Sequence, residues 1–256
     1  MSELEEKIKR IDNQGISKTP LYIREKLLKN LDVPLDQHAD VAVITGCNAL
    51  LRPLILVQLA NILTKLNINF TFMSFEHCCF AEVVRDFIYR KDVSTPVYEE
   101  QARIWNRRNC TKARDLGAHT VINLCAGCNT SYLRHAADLV RPVYYINYFL
   151  ELPFAGHLDL NIDYYEGCHK KHNYYPECQA REENTIALLD KIEGLTYRRI
   201  PGSICCSQAA HQVLKRVSSP VLLAPSSCCY SRLRQSNTDP KLKITSFIEL
   251  LEEALE

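Results

Sequence analysis

VAVITGCNALLRPLILVQLANILTKLNINFTFMSFEHCC, residues 41–79, holds a strand, a helix and a second strand, with a cysteine motif after each strand. VAVIT (41–45) reads as a buried strand, and Leu51, Ile55, Leu59, Ile62 and Leu66 then recur at helical spacing. INFTFMSF (68–75) reads as the next strand. The first strand runs into Gly46-Cys47 and the second into His77-Cys78-Cys79. This unit predicts an α/β fold with a parallel sheet.

Outward from it the alternation continues. Helices are expected near 80–90 and over 97–116, the latter closed by Gly117. HTVINL (119–124) is a third strand, a helix follows over 130–140, and PVYYI (142–146) leads into a short helix through Phe149 and Leu150. The second half repeats this plan with strands IDYY (162–165), TYRRI (196–200), PVLLA (220–224) and LKIT (242–245). Helices are expected between them over 178–192, 208–217 and 230–235. The closing segments VYYINYFLELPF and LKITSFIELLEEAL resemble each other, and PFAGHLDLNI (153–162) reads as the seam. The expected architecture is two pseudo-repeated lobes, 39–155 and 156–256, each a small parallel sheet flanked by helices. Residues 1–38, with helical stretches at Leu4–Ile11 and Leu21–Leu31, read as an N-terminal extension or docking element.

Composition narrows the function. Across 256 residues the formal net charge is +1, so no basic field is offered to nucleic acid or anionic lipid. Leu54 to Leu66, the most apolar stretch, is broken by Gln58, Asn61 and Lys65, so no membrane insertion is expected. The start, MSELEEKIKR, has no apolar core of a signal peptide, which leaves a reducing, cytoplasmic setting as the expectation. No GxG occurs, which removes both the dinucleotide fingerprint and the P-loop, so no flavin or nicotinamide is expected on this chain.

Twelve cysteines against eight glycines is the unusual feature of the composition, and the cysteines are placed in order. Strand three of the first lobe runs into Cys125-Ala126-Gly127-Cys128. In the second lobe the same three places carry Gly167-Cys168, Cys205-Cys206 and Ser227-Cys228-Cys229. Open α/β sheets build their sites in the crevice at the carboxyl ends of strands. Cys110, within the long helix, and Cys178 read as ordinary cysteines. Structural zinc wants four ligands, usually as two CxxC-like pairs, and only one CxxC is present. A redox pair at Cys125 and Cys128 would leave Cys47, Cys78 and Cys79 unexplained. An iron–sulfur cluster fits better, because several irons accept thiolates from several loops.

The spacing Cys47, thirty residues, Cys78-Cys79, forty-five residues, Cys125-x-x-Cys128 resembles the cysteine-rich "CCG" domain, which occurs twice in the heterodisulfide reductase B-like family of iron–sulfur proteins. RRNCTKARDLGAHTVINLCAGCNTSYLR is similar to that family's helix–strand–CxxC segment. DKIEGLTYRRIPGSICCS and VLLAPSSCCYSRL resemble segments of related glycolate- and lactate-oxidation subunits. The resemblance covers about residues 40–256. It implies a [4Fe-4S] cluster of non-cubane type that cleaves a disulfide one electron at a time. By position, Cys47, Cys78, Cys79, Cys125 and Cys128 would ligate it, and Cys168, Cys205, Cys206 and Cys228, with Cys229 as the fifth, would ligate a second. The sequence departs from the family where Phe80 and Ser207 replace the glycine after each Cys-Cys, and Pro225 stands where the first cysteine of the second CxxC is expected.

A mechanism would also need cations and a proton. His77, His169, Lys170, Lys171, His172, Arg52, Arg134, Arg232 and Arg234 lie near the cysteines in sequence, and His77 is the candidate catalytic proton donor. Electrons must come from a partner, a flavin- or ferredoxin-type protein subunit, and the substrate would be a small-molecule or protein disulfide. Two rival readings stand beside this one. One is an electron-transfer subunit of a 2-hydroxyacid dehydrogenase or quinone-linked complex, the other a zinc-binding scaffold.

Overall fold

The computed structural model describes residues 3–15, 21–50, 52–79, 95–167, 179, 182–202 and 206–255. It divides into two compact units, Met1–Tyr145 and Ile146–Glu256, each built on one four-stranded parallel sheet.

The first unit opens with two helices, α1 (Glu3–Gln14) and α2 (Leu21–Asn30). Strand β1 (Val41–Ile44) is buried along its whole length, as a central parallel strand must be when helices cover both faces. It leads through the single turn α3 (Gly46–Ala49) into α4 (Pro53–Lys65). Proline at the first position of α4 lacks the N–H that would be unpaired there in any case. Strand β2 (Phe70–Phe72) follows, then α5 (Thr95–Asp115), β3 (Thr120–Asn123), α6 (Ala126–Ala136) and β4 (Arg141–Tyr144). Helix α7 (Tyr145–Glu151) begins where β4 ends and, but for its first residue, belongs to the second unit. The strand order is β2-β1-β3-β4. The chain therefore leaves β1 in one direction and returns in the other, and the switch point lies at the carboxyl ends of β1 and β3. Ala42, Ala113, Ala118 and Ala136 leave room around Tyr132 for α5 and α6 to press on the sheet.

The second unit comprises β5 (Gly156–Tyr165), α8 (Glu182–Leu189), β6 (Ile192–Ile200), α9 (Cys206–Leu214), β7 (Val221–Ala224), α10 (Ser227–Ser236), β8 (Lys243–Ser246) and α11 (Phe247–Ala254). Its order is β6-β5-β7-β8, the same topology. Ser246 and Glu249 close a capping box at the start of α11.

The two registers fix which positions correspond. Val43 pairs with Phe72 and Ile122, and Ile122 with Val143. Tyr164 pairs with Arg199 and Leu223, and Leu223 with Thr245. Three residues past Val43 and Tyr164 stand Gly46 and Gly167, both at φ +68°.

Two expectations need revision. The seam 153–162 is in fact the start of β5, whose first six residues are partly or fully exposed before four buried ones. That polar alternation, GHLDLN, reads as linker because this half of the strand covers no core. The helix expected over 130–140 begins earlier, at Ala126, so the CxxC occupies its first turn. The helix expected near 80–90 lies outside the described residues.

Candidate metal centre

Five cysteines of the first unit converge. Cys47 sits in the turn after β1, Cys78 and Cys79 follow β2, and Cys125 and Cys128 occupy the N-cap and third position of α6. Their side chains form an unbroken string. Cys47 Sγ lies 3.6 Å from Cys78 Sγ. Cys78 is hydrogen-bonded to Cys79, Cys79 Sγ lies 3.0 Å from Cys128 Sγ, and Cys128 is hydrogen-bonded to Cys125. Cys47, Cys78, Cys79 and Cys128 are 9, 3, 7 and 5% exposed, while Cys125 is half-buried. Cys110 stands in the surrounding core, where burial pushes its thiol up to about 12, the behaviour of an inert cysteine.

The loops carrying these thiols are tied by groups that have no cysteine signature. Glu76, 1% exposed, accepts hydrogen bonds from Thr45 N (3.2 Å), Thr45 Oγ1 (2.9 Å) and Gly46 N (2.8 Å). Arg24 of α2, also 1% exposed, donates to the same carboxylate at 2.7 Å. Gly15, just past α1, accepts from Cys78 N at 2.5 Å. Asn109 of α5 accepts from His77 N and donates to His77 O, both at 2.7 Å, so one side chain pairs with that peptide as a neighbouring strand would. Ser131 donates to Cys79 O at 3.1 Å. The two helices read from the sequence as an N-terminal extension or docking element thus help to wall the site. Each of these bonds joins residues far apart in sequence, so no local pattern announces them.

His77 takes its place in an aromatic stack. Its ring meets Phe75 edge-on at 4.7 Å and lies parallel to Trp105 at 6.4 Å, and Trp105 Nε1 donates to Asp12 at 2.7 Å. Burial lowers the His77 pKa, so the neutral ring prevails at pH 7. Among the other expected cations, Arg134 pairs with Glu99 at 3.1 Å and Arg234 with the Tyr230 hydroxyl at 2.7 Å, while Arg232 is exposed. His169, Lys170, Lys171 and His172 lie outside the described residues.

Hydrogen bonds from Cys128 and Cys78 bring the Cys79 thiol down to about 6 despite its burial. Its partner Cys128 is raised by its hydrogen bonds with Cys125 and Cys79, by burial and by the charge of those neighbours. The N-terminus of α6 favours negative charge at Cys125 and Cys128. Gly46 carries no Cβ, and one placed there would meet Cys128 Sγ at 3.3 Å. Five soft donors gathered from three strand ends suit a polynuclear thiolate-bound group. Among the described residues no three Cys, His, Asp or Glu side chains are grouped as a single metal ion requires.

The second unit differs at this site. By register, Ser226 corresponds to Cys125, Cys228 to Gly127 and Cys229 to Cys128. Pro225, expected in the place of a cysteine, instead corresponds to Leu124. Ser226 accepts from Cys229 N at 3.4 Å as the N-cap of α10, whereas Cys125 makes no such cap bond. A Cβ on Gly167 would lie 3.5 Å from Cys229 Sγ, matching the approach of Gly46 to Cys128. The carboxylate tie recurs with its direction reversed: Glu166, beside Gly167, accepts from Gly202 N at 3.2 Å and from Arg199 Nε at 3.0 Å. Cys168, Cys178 and Cys205 lie outside the described residues, as do the side chains of Cys206 and Cys228.

The family model of the cysteine-rich domain, CCG, matches residues 41–131, the span from β1 into α6 that holds all five converging thiols. No curated protein matches the chain. Residues 41–131 are thus similar to a cysteine-rich domain, which points to iron–sulfur or metal binding at these thiols. Among the described residues no helix is long and apolar enough to cross a membrane.

Proposed function

We propose that this chain is an iron–sulfur oxidoreductase subunit of heterodisulfide-reductase B type, working within a multiprotein complex on a disulfide or related sulfur substrate. The observation that carries the reading is the string of five thiols at the switch point of the first sheet. Cys47, Cys78, Cys79, Cys125 and Cys128 would hold a [4Fe-4S] cluster of non-cubane type. Bound there, such a cluster would supply single electrons to the substrate sulfur.

The chain's own residues do the rest. Burial of four thiols keeps water from the sulfurs, and half-buried Cys125 marks the side from which a substrate approaches. The positive end of the α6 dipole favours the negative charge of a departing thiolate. His77 is the proposed proton carrier: its neutral ring takes up a proton before passing it on, and Asn109 fixes the peptide from which the ring extends. Electrons would arrive from a flavin- or ferredoxin-type partner, since no nucleotide-binding loop occurs in the sequence.

A second reading, transfer of electrons without a bound substrate, draws on the same burial, which leaves only Cys125 open. Anaerobic purification with iron, acid-labile sulfide and zinc analysis tests the metal. Stoichiometric zinc without labile sulfide sinks the iron–sulfur reading. Addition of a disulfide to the iron-loaded wild-type protein, read as a change in the spectrum of the cluster, then separates the two readings: a change favours substrate chemistry, and none favours electron relay.

A further inference from the structure

The two units build the same tie from different sources. In the second, the arginine on Glu166 comes from β6 of the same sheet. In the first, the arginine on Glu76 comes from α2, fifty-two residues away in sequence. Arg24 commits all three guanidinium nitrogens to this place, Nη1 to Glu76 and both Nε and Nη2 to Met73 O at 3.3 Å. An arginine is seldom buried unless it is paired, and the opposite end of this pair is the carboxylate that also holds the Thr45 and Gly46 amides.

A second contact made by these helices points the same way. Gly15 takes the Cys78 amide at a backbone φ of +77°, and a Cβ there would meet Glu76 O at 2.4 Å. The helix pair therefore touches the loop that carries Cys78 and Cys79, at Met73, Glu76 and Cys78, and reaches the Gly46–Cys47 turn through Glu76.

We propose that α1 and α2 form a latch on the first thiol site, with Arg24 as its positioning residue. Arg24 holds Glu76, Glu76 holds the Gly46–Cys47 turn, and Gly15 holds the Cys78 amide, so that Cys47 and Cys78 stay facing and shielded. The role of the site rests on the iron–sulfur reading, but the latch concerns only this chain's own bonds and shows itself without any metal.

The test uses the reduced, metal-free full chain, alkylated with N-ethylmaleimide and mapped by peptide mass. Cys110, buried in α5, reports global opening and serves as the internal reference. In Arg24→Met, labelling of Cys47 and Cys78 rises about tenfold relative to Cys110, the equivalent of one lost charge-assisted hydrogen bond. Arg24→Lys, which keeps the charge, restores part of the protection. Should Arg24→Met not fold, Arg24→Met/Glu76→Gln removes the stranded charge and is expected to fold with the same selective labelling. Parallel rises at Cys47 and Cys110, or no rise at Cys47, overturn the latch. A wild-type protein that fails to take up iron and sulfide would instead refute the iron–sulfur reading and leave the labelling result standing.

Discussion

Cys125→Ser is expected to make the metal-free protein more stable while weakening its hold on metal. Ser226 shows why. At the corresponding N-cap its hydroxyl accepts from Cys229 N at 3.4 Å, with φ −142° and ψ 156°. Cys125 has nearly the same backbone, φ −125° and ψ 130°, but no side-chain cap bond. A serine at 125 can therefore cap α6 without moving the chain. An N-cap serine contributes about 1 kcal/mol over a residue that does not cap, and the long 3.4 Å bond argues for the lower half of the range, about 0.5–1 kcal/mol. For a chain of this size that raises the melting temperature by about 1–4 °C. The measurement is calorimetry of the reduced, metal-free protein, paired with iron content after anaerobic loading. A lowered melting temperature would refute the reasoning, since it would mean that the thiol at this N-cap contributes more to the bare fold than a cap does. An unchanged iron content would refute the assignment of Cys125 as a ligand.

Gly46→Ala forces a left-handed φ of +68° on a residue with a Cβ and sets that carbon 3.3 Å from Cys128 Sγ; we expect a loss of about 1–2 kcal/mol in urea unfolding and sharply lower iron retention. Asn109→Ala strands the His77 N–H and C=O, and urea unfolding should show a loss of about 2–4 kcal/mol. In the second unit, burial pushes Asp163 up, but paired bonds from Arg198 and the Ser218 and Ser219 amides outweigh it and hold the carboxyl at about 2. A depressed acid contributes stability above its unfolded pKa and loses it as pH falls through the folded value. About 2 kcal/mol should therefore vanish between pH ~4 and ~2, and Asp163→Asn, weaker at pH 7, should lack that part of the acid slope in urea titrations.

The sulfur site was legible because its residues mark themselves. Cys47, Cys78, Cys79, Cys125 and Cys128 each follow a short apolar strand, and parallel strands deliver their ends to one crevice. Arg24 was not legible. In LYIREKLLKN it reads as one more solvated cation on a short helix, and its partner lies fifty-two residues on. The second lobe was misaligned for a different reason. Counting back from Cys228 puts Pro225 in the place of a cysteine, whereas matching VLLA to TVIN puts Ser226 there and brings Cys229 onto Cys128. Strand register, set by backbone hydrogen bonds, constrains position more tightly than the spacing of side chains that a loop can re-aim.

Every strand pairing in both sheets is made by backbone alone, and the thiols stand beyond the strand ends. Maintenance is the consequence. A frame whose strand pairing calls on no thiol would let a site there be loaded, stripped by an oxidant and loaded again without a single strand being withdrawn. Damage at the sulfurs would then be a repair rather than a refolding, and the lifetime of the polypeptide would be uncoupled from the lifetime of what it carries.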